Sequence, residues 1–181
     1  MARIPTPDSI ATSPASAQPL LEAVQRQLGS VPNMFRLIGN SPAGLEGYLG
    51  LNGALGKGRL DARTRGRIAL TVAEQNRCEY CLSAHTYLGK NLVKLDDAEM
   101  AANREAASQD AKAGAALRFA AELVRKRGHV SEDEVRAVKA AGYSDAELVE
   151  IVLHVALNTL TNYVNTALGT DVDFPRVVPR T

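Results

Sequence analysis

The sequence predicts an all-α protein. Apolar residues recur at spacings of three, four and seven through the long stretches, Ser or Asp starts precede those stretches, and no run alternates with period two between turn signals. A chain of 181 residues, 45% of them hydrophobic, can bury one core without staples. It is expected to form an N-terminal arm over 1–18 and a single helical domain over 19–181.

Pro5, Pro7 and Pro14 keep the arm extended, and such an arm frays unless a partner subunit holds it. From Pro19, the residues Leu20, Leu21, Val24 and Leu28 mark a helix that Gly29 stops. After Pro32 a short amphipathic piece carries Met34, Phe35, Leu37 and Ile38. Ser41 then caps a helix with Pro42 in its first turn, running through Leu45, Tyr48, Leu49 and Leu55 to a break at Gly56 and Gly58. Asp61 opens the next helix, which carries Ile68, Leu70, Val72 and Ala73 inward. Its internal Gly66 costs about 1 kcal/mol against alanine. Asn76 with Glu79 reads as a capping-box variant that starts another helix at about Arg77.

Leu95-Asp96-Asp97 signals a short helix to about Ala107, and Asp110 to Gly128 a long one with Ala113, Leu117, Ala120, Ala121 and Val124 on one face. Arg125, Lys126 and Arg127 suit the negative end of its dipole as a solvated helix end. Ser131 with Glu134, and Ser144 with Glu147, form capping boxes for the last two helices, the first closed by Gly142 and the second, long and apolar, by Gly169.

The helix starting near Arg77 organises the rest. Cys78, Cys81 and His85, at spacings of three, four and seven, fall within an arc of roughly 60° on one helix face. Free N–H groups and the positive dipole end in those first turns favour a thiolate, so a reactive dithiol is expected.

Net charge +1 and no Lys/Arg block exclude steering of nucleic acid or anionic membrane, and the lack of Trp leaves little base-stacking surface. No stretch approaches the roughly 18 apolar residues of a membrane span, and the N-terminus lacks a signal-like apolar run. A cytoplasmic setting is expected, where a lone close cysteine pair fits redox or metal chemistry better than a structural staple. Zinc wants a fourth ligand, no second Cys/His pair exists, and Leu82 occupies the place of a c-type haem histidine. No metal or cofactor is expected. Two cysteines on an amphipathic helix can also be plain core residues; His129 reads most simply as a solvated residue or helix-dipole partner, and His154, Tyr80, Tyr87, Tyr163, Asn162 and Asn165 as packing or cross-linking groups.

Laying Ile68 on Ile151 places Leu70 on Leu153, Val72 on Val155, Ala73 on Ala156 and Tyr80 on Tyr163, a weak sign of internal duplication. The second copy has Val164 where the first has Cys81, so the chemistry belongs to the first.

RIALTVAEQNRCEYCLSAHTYLGK resembles the core motif of the AhpD-like alkylhydroperoxidases in the carboxymuconolactone decarboxylase superfamily, whose signature is Cys-x-x-Cys-x-x-x-His on a helix. The flanks VPNMFRLIGNSPAGLEGYLGLNGAL and NTLTNYVNTALGTDVDFP are similar to a peroxidase-related branch, so the likeness runs from about residue 30 to 175. The resemblance implies an AhpD-like helical fold, a trimeric or hexameric homo-oligomer, and thiol peroxidase or dithiol oxidoreductase activity on a peroxide. It also implies recycling by an external dithiol or a lipoylated or other thiol carrier protein. By position it makes Cys81 the peroxidatic cysteine, Cys78 the resolving one and His85 part of the proton relay.

Two positions depart from that pattern. A glutamate usual twelve residues before the first cysteine is Gly66 here, and a histidine often found before the second is Tyr80. Glu74 is then the nearest carboxylate to replace the missing one. Three functions follow: a thiol peroxidase, a lactone-acid decarboxylase needing neither cysteine, or a dithiol redox sensor without turnover.

Overall fold

The computed structural model describes residues 2–180; Met1 of the expected arm and Thr181 of the expected domain lie outside the described residues. Among the described residues the chain forms α1 (Gln18–Leu28), α2 (Asn33–Ile38), α3 (Pro42–Leu55), α4 (Ala62–Gln75), α5 (Glu79–Leu88), α6 (Asp97–Arg104), α7 (Ala111–Arg125), α8 (Glu132–Ala140) and α9 (Asp145–Leu168), and no strand. A π-helical turn, Gly89–Val93, follows α5. No helix among them is long and apolar enough to cross a membrane.

Local chemistry sets most helix starts where the sequence placed them. The side chains of Ser41, Asp61, Asp96 and Asp110 accept backbone N–H groups at their helix starts, and Ser131–Glu134 and Ser144–Glu147 close both halves of their capping boxes. Each cap contributes about 1 kcal/mol. Gly29 and Gly169 end α1 and α9 in the left-handed conformation.

Helix α4 is the hub. One face sends Ile68 and Val72 into a cluster with Leu117, Phe119, Ala120 and Leu123 of α7, Val138 of α8, and Ile151 and Val155 of α9. The other sends Leu70 and Ala73 into a second cluster with Met34, Tyr80, Leu82, Ala84, Leu95 and Met100, and this one contains both cysteines. Helix α9 also braces the turn before α4, because the Glu150 carboxylate accepts N–H groups of Arg59 at 2.8 Å and Leu60 at 2.9 Å. A Cβ on Gly58 would sit 2.6 Å from that carboxylate, which explains the glycine.

The arm's contacts come from the chain's own helices. Arg3 N–H donates to Leu168 O at 2.7 Å, Asn40 Nδ2 to Pro5 O at 2.9 Å and Arg36 Nη1 to Asp8 O at 2.7 Å, and Ala17 is fully buried. The overlay of the two apolar helices holds for Ile68 and Ile151, both buried, but not for the tyrosines: Tyr80 is 4% exposed and Tyr163 64%. Helix α4 stops at Gln75 whereas α9 runs on unbroken, so equal spacing in sequence ends in unlike surroundings.

Candidate active site

Helix α4 turns into α5 within three residues. Asn76 ends α4, Arg77 takes a left-handed conformation at φ 54°, and Cys78 N–H donates to Ala73 O while Arg77 N–H donates to Glu74 O. This is a Schellman motif with arginine where glycine is preferred, a strained choice of about 1 kcal/mol. Cys78 is thereby delivered in extended conformation as the N-cap of α5, its Sγ accepting the Cys81 N–H at 3.3 Å. The expected capping role of Asn76 is corrected: its backbone is still helical, and its Nδ2 donates to Asn162 Oδ1 of α9 at 2.8 Å. Helix α5 therefore starts at Glu79 rather than Arg77.

Both cysteines are free thiols, 1% and 2% exposed, with their sulfurs 2.7 Å apart and sharing a hydrogen bond. That bond pulls Cys78 down to about 7 against the opposing effect of burial, helped by the N–H groups of Cys81 and Tyr80 and by Thr166. Cys81 moves up, first through burial and then through its bond to Cys78. Opposite shifts in one pair mean that the two sulfurs share a single proton near neutral pH. Asn165 Nδ2 donates to Cys81 Sγ at 3.2 Å.

His85 lies one turn beyond Cys81 on α5, and its hydrogen-bond partner is the Asn158 side chain of α9. Burial pushes its imidazole down to about 4, although Asn158 pulls the other way, so the ring is neutral at pH 7. Glu74 is not brought to the sulfurs. Its Oε2 takes Arg104 Nε at 2.6 Å and its Oε1 the Arg180 N–H at 2.6 Å, which ties the end of α4 to the C-terminal segment. Among the described residues, no three His, Cys, Asp or Glu side chains gather as a metal-binding set.

That C-terminal segment, residues 170–180, lies as a strap along α5. Asp173 accepts Asn33 N–H at 2.8 Å, Ser83 Oγ accepts Val177 N–H at 2.9 Å, and Arg176 pairs with Glu79 at 3.0 Å. Phe174 packs edge-on against Tyr80 at 5.8 Å and beside Tyr87 at 5.7 Å. Tyr80 itself accepts Met34 N–H at 3.1 Å, and burial raises its phenol. Both cysteines thus lie covered by protein.

Residues 42–122 match the family model described as the carboxymuconolactone decarboxylase family. The whole fold agrees with a crystal structure of an AhpD-core, peroxidase-related protein from Ralstonia eutropha JMP134, with TM-score 0.80 and 26% identity over 95% of this chain and 92% of that one. Over residues 42–122 the chain is similar to the carboxymuconolactone decarboxylase family, and its fold is similar to that of AhpD-like, peroxidase-related proteins. A cysteine-to-alanine variant of the debrominase Bmp8, in complex with 2,3,4-tribromopyrrole, shares the fold at TM-score 0.75 and 18% identity over 96% of this chain and 94% of that one. An uncharacterized protein of Haemophilus influenzae is 51% identical over 45 residues, 24% of this chain and 40% of that protein's length.

The departure at Gly66 from the pattern the chain resembles has a physical correlate. A Cβ there would lie 3.5 Å from both Cγ atoms of Val93 in the π-turn, so the space in which a longer side chain would begin is already packed. The groups that sequence reasoning undervalued are on α9. Asn158, Asn162 and Asn165 fall at i, i+4 and i+7 on an apolar helix and all are buried, a pattern that marks one polar ridge facing inward.

Proposed function

We propose that the protein is a thiol-dependent peroxidase that oxidises Cys78 and Cys81 to a disulfide and regains the thiols from an external dithiol or a lipoylated carrier protein. The observation that supports this best is the pair of free sulfurs 2.7 Å apart at a helix start, one of them with its pKa near 7. A disulfide bond needs about 2.05 Å, so bonding asks only for a small side-chain adjustment.

In the order that the resemblance implies, the shared proton resides on Cys78 and the Cys81 thiolate attacks the terminal peroxide oxygen. The O–O bond breaks, the leaving alkoxide takes a proton, and Cys81 becomes a sulfenic acid. Cys78, deprotonated, then attacks the Cys81 sulfur and expels hydroxide, which leaves as water. Two thiols and one peroxide give one disulfide, one alcohol and one water. His85, being neutral, accepts and passes protons rather than supplying one from a standing imidazolium. We further infer a homo-oligomer of like chains, supported by the solvent-facing Val149, Val152, Leu153, Leu160 and Tyr163 of α9.

Mass spectrometry of trapped thiols after substoichiometric peroxide tests the reading. The wild type should yield a Cys78–Cys81 disulfide, Cys78→Ser a sulfenic acid on Cys81, and Cys81→Ser neither. Undiminished turnover of peroxide in the doubly substituted protein would overturn it.

A further inference from the structure

We infer that Asn165 and Asn162 of α9 are catalytic residues of the dithiol site, two carboxamides that cradle the Cys81 sulfur and hold negative charge on it. The inference rests on the peroxidase reading for its place in a reaction, and on geometry for its substance.

Asn165 is 3% exposed and its Nδ2 donates to Cys81 Sγ at 3.2 Å. Asn162 is 1% exposed and its orientation is set from outside, since its Oδ1 accepts Asn76 Nδ2 at 2.8 Å. With the oxygen so occupied, its NH2 group must face the other way. That Nδ2 has no hydrogen-bond partner among the described residues, and Asn162 acts on Cys81 by favouring its anion. A buried amide donor without a partner is costly, so an unpaired Asn162 Nδ2 beside an Asn165 that donates to the sulfur calls for an explanation.

Asn158 supplies the contrast on the same helix. Its Nδ2 donates to His154 O at 2.7 Å, a bond within its own helix, and what its side chain meets on α5 is His85 rather than a sulfur. Asn162 and Asn165 forgo that bond and reach across to α5.

The chemistry asks for such donors. The charge of the pair is drawn to Cys78, which has the Cys81 and Tyr80 N–H groups and Thr166 around it. For Cys81 to attack, the charge must cross to a sulfur that burial and the neighbouring sulfur both disfavour. The ionisable groups that interact with Cys81 are Cys78, Tyr48 of α3 and Tyr80 of α5, with Asp173 of the strap behind Tyr80 and His85 one turn further along α5. None brings a positive charge near neutral pH, because His85 is neutral and Tyr48 is pushed up to about 12 by burial and by Cys81. Fixed neutral dipoles aimed at a developing anion do that work without pre-empting the proton, as in an oxyanion hole.

The test isolates Cys81 in the Cys78→Ser protein and follows its alkylation by iodoacetamide against pH, read by mass spectrometry. A hydrogen bond to a charged group predicts that Asn165→Ala lowers alkylation at pH 7 by about ten- to a hundredfold and moves the midpoint up by about one unit or more. Asn165→Asp, nearly the same shape with a like charge, should move it further. Thr161→Ala, which also removes a buried polar group from α9, should leave it in place. If Asn165→Ala does not fold, Asn76→Ala releases the Asn162 carboxamide from outside the cradle and should give a smaller shift of the same sign. Midpoints in Asn165→Asp and Asn76→Ala equal to that of Thr161→Ala overturn the inference. No peroxide enters this titration, so a failed peroxidase reading leaves it intact, and an active peroxidase with unmoved midpoints sinks the cradle alone.

Discussion

Glu99 is 2% exposed and Cys78 1%, yet one is fixed as an anion while the other stands at the edge of ionisation. Burial works to raise Glu99, but Ser108, the Gln109 N–H, Asn103 and the charge of Arg67 outweigh it and hold the carboxyl at about 2. Arg67 Nε stands 2.8 Å from Glu99 Oε1, and both side chains are almost wholly covered. Cys78 has hydrogen-bond donors too, but all of them are neutral, and its pKa stops at about 7. The difference lies first in the acids themselves: a carboxyl that starts at 4.5 and a thiol that starts at 9.0 are lowered by similar amounts. At Glu99 the hydrogen bonds of Ser108, Gln109 and Asn103 count for more than the charge of Arg67. A buried carboxylate held by donors and a counter-ion becomes a fixture of the fold, whereas a thiol lowered as far by neutral donors stays available to protons at working pH.

The largest effect expected from breaking this contrast is on stability. Arg67→Met leaves Glu99 buried with its donors but no cation, a loss of about 3–5 kcal/mol, measurable by urea unfolding of the reduced protein. The pH dependence of that stability separates the two sites. Glu99 has its folded pKa depressed from 4.5 to about 2, so its contribution is present above about 4.5 and lost as pH falls toward 2; the span corresponds to about 3 kcal/mol. Cys78 is depressed from 9.0 to about 7, so its contribution is full above 9 and lost as pH falls through 7, while the raised Cys81 opposes any gain beyond 9. Arg67→Met should shrink only the acid limb and Cys78→Ser remove only the neutral one. Variants that each flatten both limbs would show one coupled network instead of two sites.

How far each site was legible in sequence follows from the range of the contacts that build it. Starts such as Ser131–Glu134 and Ser144–Glu147 close within three residues, so pattern and structure agree. Cys81 and His85 share one short helix with Cys78 as its extended cap, and their spacing in sequence was enough to single them out, though not to show that Cys78 lies off the helix face. Asn76 misled because its local partner, Glu79, lost to Asn162, 86 residues away. Glu74 misled in the same way, taken by Arg104 and by the Arg180 N–H far along the chain. The Asn165–Cys81 bond spans 84 residues and exists only because α9 packs on α5, which no local rule encodes.

A smaller effect is expected from the strap, which covers the dithiol and has no counterpart at Glu99. Phe174→Ala deletes the ring contacts to Tyr80 and Tyr87 that press residues 170–180 onto α5. Reaction of the thiols with a bulky aromatic disulfide should speed up severalfold, and reaction with hydrogen peroxide much less, because only the larger reagent needs the strap displaced. Equal acceleration of both would mean that the substitution loosened α5 itself. A rate unchanged with either reagent would mean that access comes from another side.

The smallest effect is expected at Gly66, which precedes Arg67 on α4 and belongs to neither site's bonding. Its Cβ would make ordinary contacts of 3.5 Å with Val93, so Gly66→Ala fits and should stabilise the helix by up to about 1 kcal/mol. The thiol midpoint near 7 and the acid limb should both stay where they are. Gly66→Glu, which restores the carboxylate usual in AhpD-like chains, should instead press on Val93 and the Gly89–Val93 turn and lose stability. If that variant leaves stability intact and moves the thiol midpoint, the packed valine is no barrier and a carboxylate at 66 reaches the dithiol.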